Sequence, residues 1–322
     1  MGISARITAV VALAIFAALL IIGWMVAAAQ GTLLSRMIEE QIRSKHTAVQ
    51  GMLGQVAEQA LGIALTTAAT PGVVAAAERQ DRALAQAELL PVYETLRRQL
   101  GVTVLHLRAP ADTSLLRAQS PDNFGDKTRR RAILDTADQA KPLTGFDRAK
   151  FGMGMRGWAP VFSGRSVSGV MEVNIAFSEQ LLQHIKAMVG GDILVYAADS
   201  DGPRLAAATR TEELTLPAWM FEQAATRLSD VAREGDLAYA MFPVHSYEGE
   251  LLATIAIVED VSAFVAMIRS QTLQTVMVLL SAGIVLAAVV ALMLSRGVAR
   301  PVRRAVELAN TLAAGDFTAQ IE

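Results

Sequence analysis

The chain has 322 residues, 52% of them hydrophobic, and a formal net charge of −2. That is more apolar content than a soluble domain of this size needs. The absence of cysteine excludes disulfides, thiolate metal sites and covalent haem attachment, and the near-balanced charge offers no basis for nucleic-acid binding.

The excess apolar residues lie at the two ends. No charged residue occurs between Arg6 and Arg36, and none between Arg269 and Arg296. Each run is longer than the roughly 20 residues a helix needs to cross hydrocarbon. In lipid such a run must be helical, because its backbone has no water to bond. Transmembrane helices are therefore expected at 7–29 and 272–294. The first run offers a cleavage-like Ala27-Ala28-Ala29, but it is too long for a signal-peptide core and reads as a retained anchor. Arg296, Arg300, Arg303 and Arg304 crowd the end of the second run and assign that end to the cytoplasm. Residues 1–6 then form a cytoplasmic N-terminus, and residues 30–271 lie outside.

The outer region begins with a stalk helix, 30–72, in which Val49, Leu53, Val56, Ala60 and Ile63 recur at heptad spacing. Thr70-Pro71-Gly72 ends it. An Ala-rich helix from Val73 to Gln99, kinked or broken at Pro91, should follow. Strand patterns cover Val102–Arg108 and Ser114–Gln119. Asp126 is placed to cap a helix from Lys127 to about Ala140. Two strands, Phe151–Phe162 and Val167–Phe177, and a helix at Ser178–Met188 complete a module at 73–188. The same order of elements returns in a smaller module at 189–271. It has strands at Ile193–Ala198 and Arg204–Thr209, a helix at Pro217–Leu228, and paired strands at Leu237–His245 and Leu251–Glu259. Pro160-Val161-Phe162-Ser163 even recurs as Pro243-Val244-His245-Ser246. The fold class is α+β, with two related modules in tandem.

Enzyme signatures are missing: there is no phosphate-binding loop, no H-E-x-x-H and no nucleophile elbow. His46, His106, His184 and His245 lack metal-ligand spacing. Asp199-x-Asp201-Gly202 lacks the Gly and Glu positions of a calcium loop. No cofactor and no catalytic residue are expected.

The informative stretch is the hairpin from Phe151 to Phe177. In its second strand Met171, Val173, Ile175 and Phe177 share one face, Glu172 and Asn174 the other. If the loop is even, Phe162 pairs with Val167 and Arg156 lies opposite Val173, where a guanidinium would require a carboxylate. If the loop is odd, Arg156 faces Glu172 as a simple cross-strand pair. Trp158 is either a stacking wall or core. Arg129-Arg130-Arg131 opens a helix, and Arg130 is the member placed to reach a pocket over the sheet. Tyr93, His106 and Arg117 lie on flanking elements. These arginine-rich candidates point to a small carboxylate as ligand.

Near the second apolar run, Gly283, Ala287 and Ala291 repeat every four residues, a face that lets membrane helices approach closely. Val298, Val302, Ala305, Ala309 and Leu312 then follow coiled-coil spacing, which points to a homodimer, with Pro301 at the joint.

Anchor, long helix, two modules, second anchor and basic helix together resemble the double Cache sensor layout, whose modules are PAS-like. The wording Lys150-Phe-Gly-Met-Gly-Met-Arg-Gly-Trp-Ala-Pro-Val-Phe-Ser163 resembles the central hairpin of one double Cache subgroup. Arg300-Pro301-Val302, Glu307 and Ala313-Ala314-Gly315-Asp316-Phe317 are similar to the start of a HAMP linker, here 295–322. The resemblance implies a membrane-distal module that binds a small-molecule ligand, with Gly283, Ala287, Pro301 and Glu307 in the signalling path. It implies a bacterial inner-membrane receptor with a periplasmic sensor, similar to a methyl-accepting chemotaxis protein. A sensor histidine kinase or cyclic-dinucleotide enzyme would share this front end. An anchored protein-binding domain is the reading from a different class.

Overall fold

The computed structural model describes residues 3–149, 152–199, 201–211 and 214–313. Glu39–Val261 form one compact unit, and the two ends of the chain form another.

Helix α1 (Ile3–Ala68) runs without interruption. Within the outer unit it buries Val49, Leu53, Ala57, Ala60, Ala64 and Ala68. Their spacing keeps them on one face. Val56 and Ile63, expected at the centre of this face, are only partly buried. Alanines dominate because the helix lies directly on sheet backbone. A Cβ on Gly157 would fall 2.4 Å from the backbone of Leu61. Next come α2 (Pro71–Arg79) and α3 (Arg82–Leu100). The chain breaks between them and not at Pro91, which sits inside α3. Gln80 adopts a left-handed φ of 55° and Asp81 caps α3, accepting from the Leu84 amide at 3.1 Å.

Strands β1 (Val102–Arg108), β2 (Ser114–Arg117), β3 (Leu143–Ala149), β4 (Gly152–Ser163) and β5 (Ser166–Ala176) form an antiparallel sheet in the order β2-β1-β5-β4-β3. Strand β3 was not expected. Helix α4 (Arg131–Asp138) starts later than the sequence pattern indicates, because Asp126 is held by Arg117 and caps nothing. Helix α5 (Glu179–Val189), capped by Ser178, closes the module.

The second sheet repeats the first. Strands β6 (Asp192–Asp199) and β7 (Gly202–Ala208) precede α6 (Ala218–Ala224), which is shorter than expected. An unexpected short β8 (Ala232–Glu234), then β9 (Leu237–His245) and β10 (Leu251–Asp260), complete the order β7-β6-β10-β9-β8.

Register in the first sheet turns on one bulge. Phe162 pairs with Val167 across a tight turn, as the even-loop reading has it, but Val161 then pairs with Gly169. The extra residue, Ser168, slips every later pair by one, so Arg156 lies opposite Asn174 and Trp158 opposite Glu172. The expected placement of Arg156 opposite Val173 on the apolar face is therefore wrong. The cross-strand Arg156–Glu172 ion pair of the other alternative is present, at 2.6 Å, but it is made diagonally and not between directly opposed residues. The second module repeats the bulge at Leu252, with His245 opposite Leu251 and Val244 opposite Ala253. The recurring Pro-Val-x-Ser wording marks this shared device.

At the chain ends, α7 (Ser262–Leu294) leads through a π-helical turn, Ser295–Ala299, into α8 (Arg300–Ala313). The N-terminal part of α1 and α7 are both long and apolar enough to cross a membrane. Gly283 is buried against Leu19 of α1, whose Cδ1 lies 2.1 Å from where a Cβ would stand. The close helix approach expected of the small-residue face is made, at Gly283, within the chain. The joint expected at Pro301 is formed by the π turn, where the Arg300 amide donates to the Ser295 carbonyl, and Pro301 simply occupies the first turn of α8. Glu307 accepts from Arg303 at 3.1 Å on the surface of α8. The HAMP-like residues after Ala313, and Lys150-Phe151 of the hairpin wording, lie outside the described residues.

Gly157→Ala should destabilise the protein by about 3 kcal/mol, because its methyl group meets backbone that cannot step aside. Gly54→Ala, in open space on α1, should stabilise it by up to about 1 kcal/mol. Urea unfolding of the two variants checks the pair.

Candidate functional site

The register writes a row of side chains across one face of the first sheet. Arg117, His106, Glu172 and Trp158 stand opposite one another on β2, β1, β5 and β4. Arg108 follows His106 at the next outward position of β1, and Val104 precedes it. The opposite face, carrying Leu105, Leu107, Met171 and Val173, packs in the core that includes α1.

Glu172, fully buried, is the hub. Its Oε1 accepts from Arg156 Nη1 at 2.6 Å and from Arg130 Nη1 at 2.7 Å. Its Oε2 lies 3.4 Å from His106 Nδ1 and 3.9 Å from Arg108 Nε. Arg130 also pairs with Asp147, and Arg156 donates to the Gly152 carbonyl. Arg117 holds Asp126 with two bonds of 2.6 Å and reaches the Asn123 carbonyl at 2.7 Å. Apart from Asp147, Asn123 and Gly152, these residues line a cavity of about 220 Å³, with Val104, Gln119, Lys127 and Thr128 completing its wall. Among the described residues no cluster of metal-ligating side chains is present.

The cavity brings together Arg156, Arg130, His106 and Arg117 of the sequence candidates. Trp158 shares their face but packs beside the cavity, with Ala132, Ile133 and Val170, and Arg130 lies 5.9 Å over its ring. Tyr93 does not belong to the site. It packs in the core on the opposite face, its hydroxyl 3.4 Å from the Thr103 carbonyl. Sequence reasoning missed Arg108 and Gln119, and it read Glu172 only as a partner for Arg156. The alternation Val104, His106, Arg108 in β1 was the available signal for Arg108.

Burial opposes ionisation of Glu172, but Arg130 and Arg156, helped by His106, hold its carboxyl well below the usual carboxylate range. Burial pushes His106 down to about 4, against the pull of Glu172. A neutral ring that gives its Nδ1 proton to Glu172 accepts at Nε2 from the Ser114 hydroxyl, 2.9 Å away. Burial likewise lowers Arg108, to about 10, so it stays charged at neutral pH. The Arg117 bonds bring Asp126 down to about 2.

Two acid limbs in stability follow. His106 binds its proton in the unfolded chain near the ordinary 6.5 but in the fold only near 4, so stability falls as pH drops between these values. The full effect is about 3 kcal/mol. The contribution of the lowered carboxylates, Glu172 and Asp126, is present above their ordinary range and disappears as pH falls below it. Urea titrations from pH 7 to pH 3 should show both limbs, and His106→Gln should flatten the first while leaving the second.

A family model described as the double sensory domain of two-component sensor kinases (dCache_3) matches residues 35–265. No curated protein sequence matches the chain. Solved structures that the chain matches include the sensor domain of the Vibrio cholerae histidine kinase DctB, 12% identical, covering 72% of this chain and 98% of that one at a TM-score of 0.44. The ligand-binding domain of the Campylobacter jejuni chemoreceptor Tlp3 in complex with 4-methylisoleucine is 11% identical, covering 75% and 93% at 0.34. A domain of a sensory box/GGDEF family protein from Vibrio parahaemolyticus is 10% identical, covering 69% and 97% at 0.45. The family model spans the stalk end of α1 and both sheets, and the chain belongs to the double Cache family of sensory domains.

Proposed function

We propose that the chain is the sensory and transmembrane part of a bacterial inner-membrane chemoreceptor that binds a small molecule, by its arginine content a carboxylate, in the membrane-distal module. One observation carries this reading. Because the two sheets share order and bulge, each position of one has a counterpart in the other. Glu172, Arg156, His106 and Arg108 correspond to Ala256, Tyr239, Leu194 and Tyr196, which are buried in an apolar cluster with Met220 and Met241. The distal face keeps a charged cavity where the proximal face is filled.

The proximal module then serves as a relay. Its β9–β10 turn touches α4, the helix that follows Arg130. Tyr247 donates to Asp135 at 3.2 Å and meets Trp158 edge-on at 6.5 Å, and Glu248 accepts from the Arg131 amide at 3.1 Å. Strand β10 leads from that turn into α7. A change at Arg130 is in this way passed to the second membrane helix, the π turn and the HAMP-like α8. Val298, Val302 and Val306 stay exposed on one side of this region, the face a homodimer partner would cover. The family model's description favours a sensor kinase input as the second reading.

A thermal-shift screen of the protein against organic acids, amino acids and amines should yield a stabilising compound. Glu172→Gln should abolish the shift, and Tyr196→Phe should leave it unchanged. No shift with any compound would favour a protein ligand instead. Tyr247→Phe with Glu248→Gln should leave ligand affinity within about threefold but weaken the response of a hybrid carrying a chemoreceptor output domain.

A further inference from the structure

The charges of the distal cavity do not balance. Four guanidinium groups line it, from Arg108, Arg117, Arg130 and Arg156. Arg117 is committed to Asp126, Arg130 to Asp147 and Glu172, and Arg156 to Glu172. Lys127, at the rim, pairs with Asp112. Arg108 has only a long approach to a Glu172 oxygen that also faces His106. It is 4% exposed, its Nε and Nη1 donate to nothing, and its approach to a carboxylate oxygen is 3.9 Å. Gln119 Nε2 is also buried without a partner, while its Oε1 accepts from the Leu105 amide.

The acceptors are in the opposite condition. Both oxygens of Asp126 take Arg117, and Glu172 takes two arginines on one oxygen and faces His106 and Arg108 with the other. The wall therefore offers one unmatched positive charge and unspent donors, but no uncommitted carboxylate among the described residues. A buried guanidinium whose nearest carboxylate oxygen is 3.9 Å away and shared with other donors is poorly compensated, so an occupant that brings the missing negative charge recovers that loss.

We infer that the distal cavity takes a small monocarboxylate that carries a further acceptor oxygen and no ammonium group. Its carboxylate pairs with Arg108 and its second oxygen accepts from Gln119. A cavity of about 220 Å³ suits a compound of this size. An amino acid would bring an ammonium group that the committed carboxylates cannot receive. A dicarboxylate would bring one negative charge more than the spare arginine answers. The inference rests on the sensory reading above and narrows it to a ligand class. It also moves the ligand contact from Arg156, which Glu172 occupies, to Arg108.

Calorimetric titration of the full chain in lipid nanodiscs with pyruvate, alanine, succinate and propylamine tests this. Pyruvate should bind at least about tenfold more tightly than the other three. Arg108→Gln should weaken pyruvate binding by at least about tenfold. It should also raise the melting temperature of the ligand-free protein by about 2 °C or more, because the unpaired buried charge is gone. A preference for alanine or succinate would overturn the ligand class while leaving the sensory reading in place. Unchanged pyruvate affinity in Arg108→Gln, or a lower melting temperature, would make Arg108 structural and overturn the assignment. Absence of binding by all four would remove the inference, and failure of the wider screen as well would remove the sensory reading with it.

Discussion

The carboxylate of Glu172 is buried in the wall of the distal cavity, and the geometry of the distal module follows from the partners it requires. Arg156 reaches it from β4, Arg130 from the start of α4, and His106 from β1. Three elements distant in sequence are thereby tied to the central strand of the sheet. Such a hub is weak evidence for added stability, since well-packed apolar groups often do as well. Its consequence is arrangement. By occupying Arg156 and part of Arg130, Glu172 leaves Arg108 as the guanidinium in the cavity wall whose Nε and Nη1 donate to nothing.

The second module shows what the same backbone does without the hub. With Ala256 at the counterpart of Glu172, the neighbouring positions carry Tyr239, Leu194 and Tyr196, and the face closes into a core. One sheet face keeps a polar cavity at the expense of packing, and the matching face of the other is packed with apolar side chains. Between them the β9–β10 turn holds Tyr247 and Glu248 against α4. The linked element is short, and its other end runs through β10 towards α7.

Much of this architecture is legible in the residues because it rests on short-range patterns. Uncharged apolar runs mark the two long helices, alternation marks β1, β4 and β5, and the Pro-Val-x-Ser wording marks the duplicated hairpin end. The site was only partly legible, since it depends on register. The even Ser163–Ser166 link, one of two alternatives the residues leave open, pairs Phe162 with Val167, yet the residue that sets the face of Arg156 is the bulged Ser168, whose chemistry does not announce a bulge. Its Oγ donates to the Val161 carbonyl at 3.1 Å, and Gly169 permits the Arg108 carbonyl to come within 2.2 Å of a would-be Cβ. Tyr93 was misplaced because α3 covers the opposite face of the sheet, which no local pattern in α3 reveals. At Gly283 the small-residue spacing identifies a close helix approach, here to Leu19, but does not say which helix makes it.

The most direct test of Glu172 as the organising charge is a double-mutant cycle with Arg156, read by urea unfolding at neutral pH. Glu172→Met leaves Arg156 buried without its partner and should destabilise by about 3 kcal/mol or more, with Arg156→Met also unfavourable. The double substitution should cost far less than the sum of the two, a coupling of about 2 kcal/mol or more. Additive effects, or a mild loss in Glu172→Met, would mean that the hub does not hold the site together.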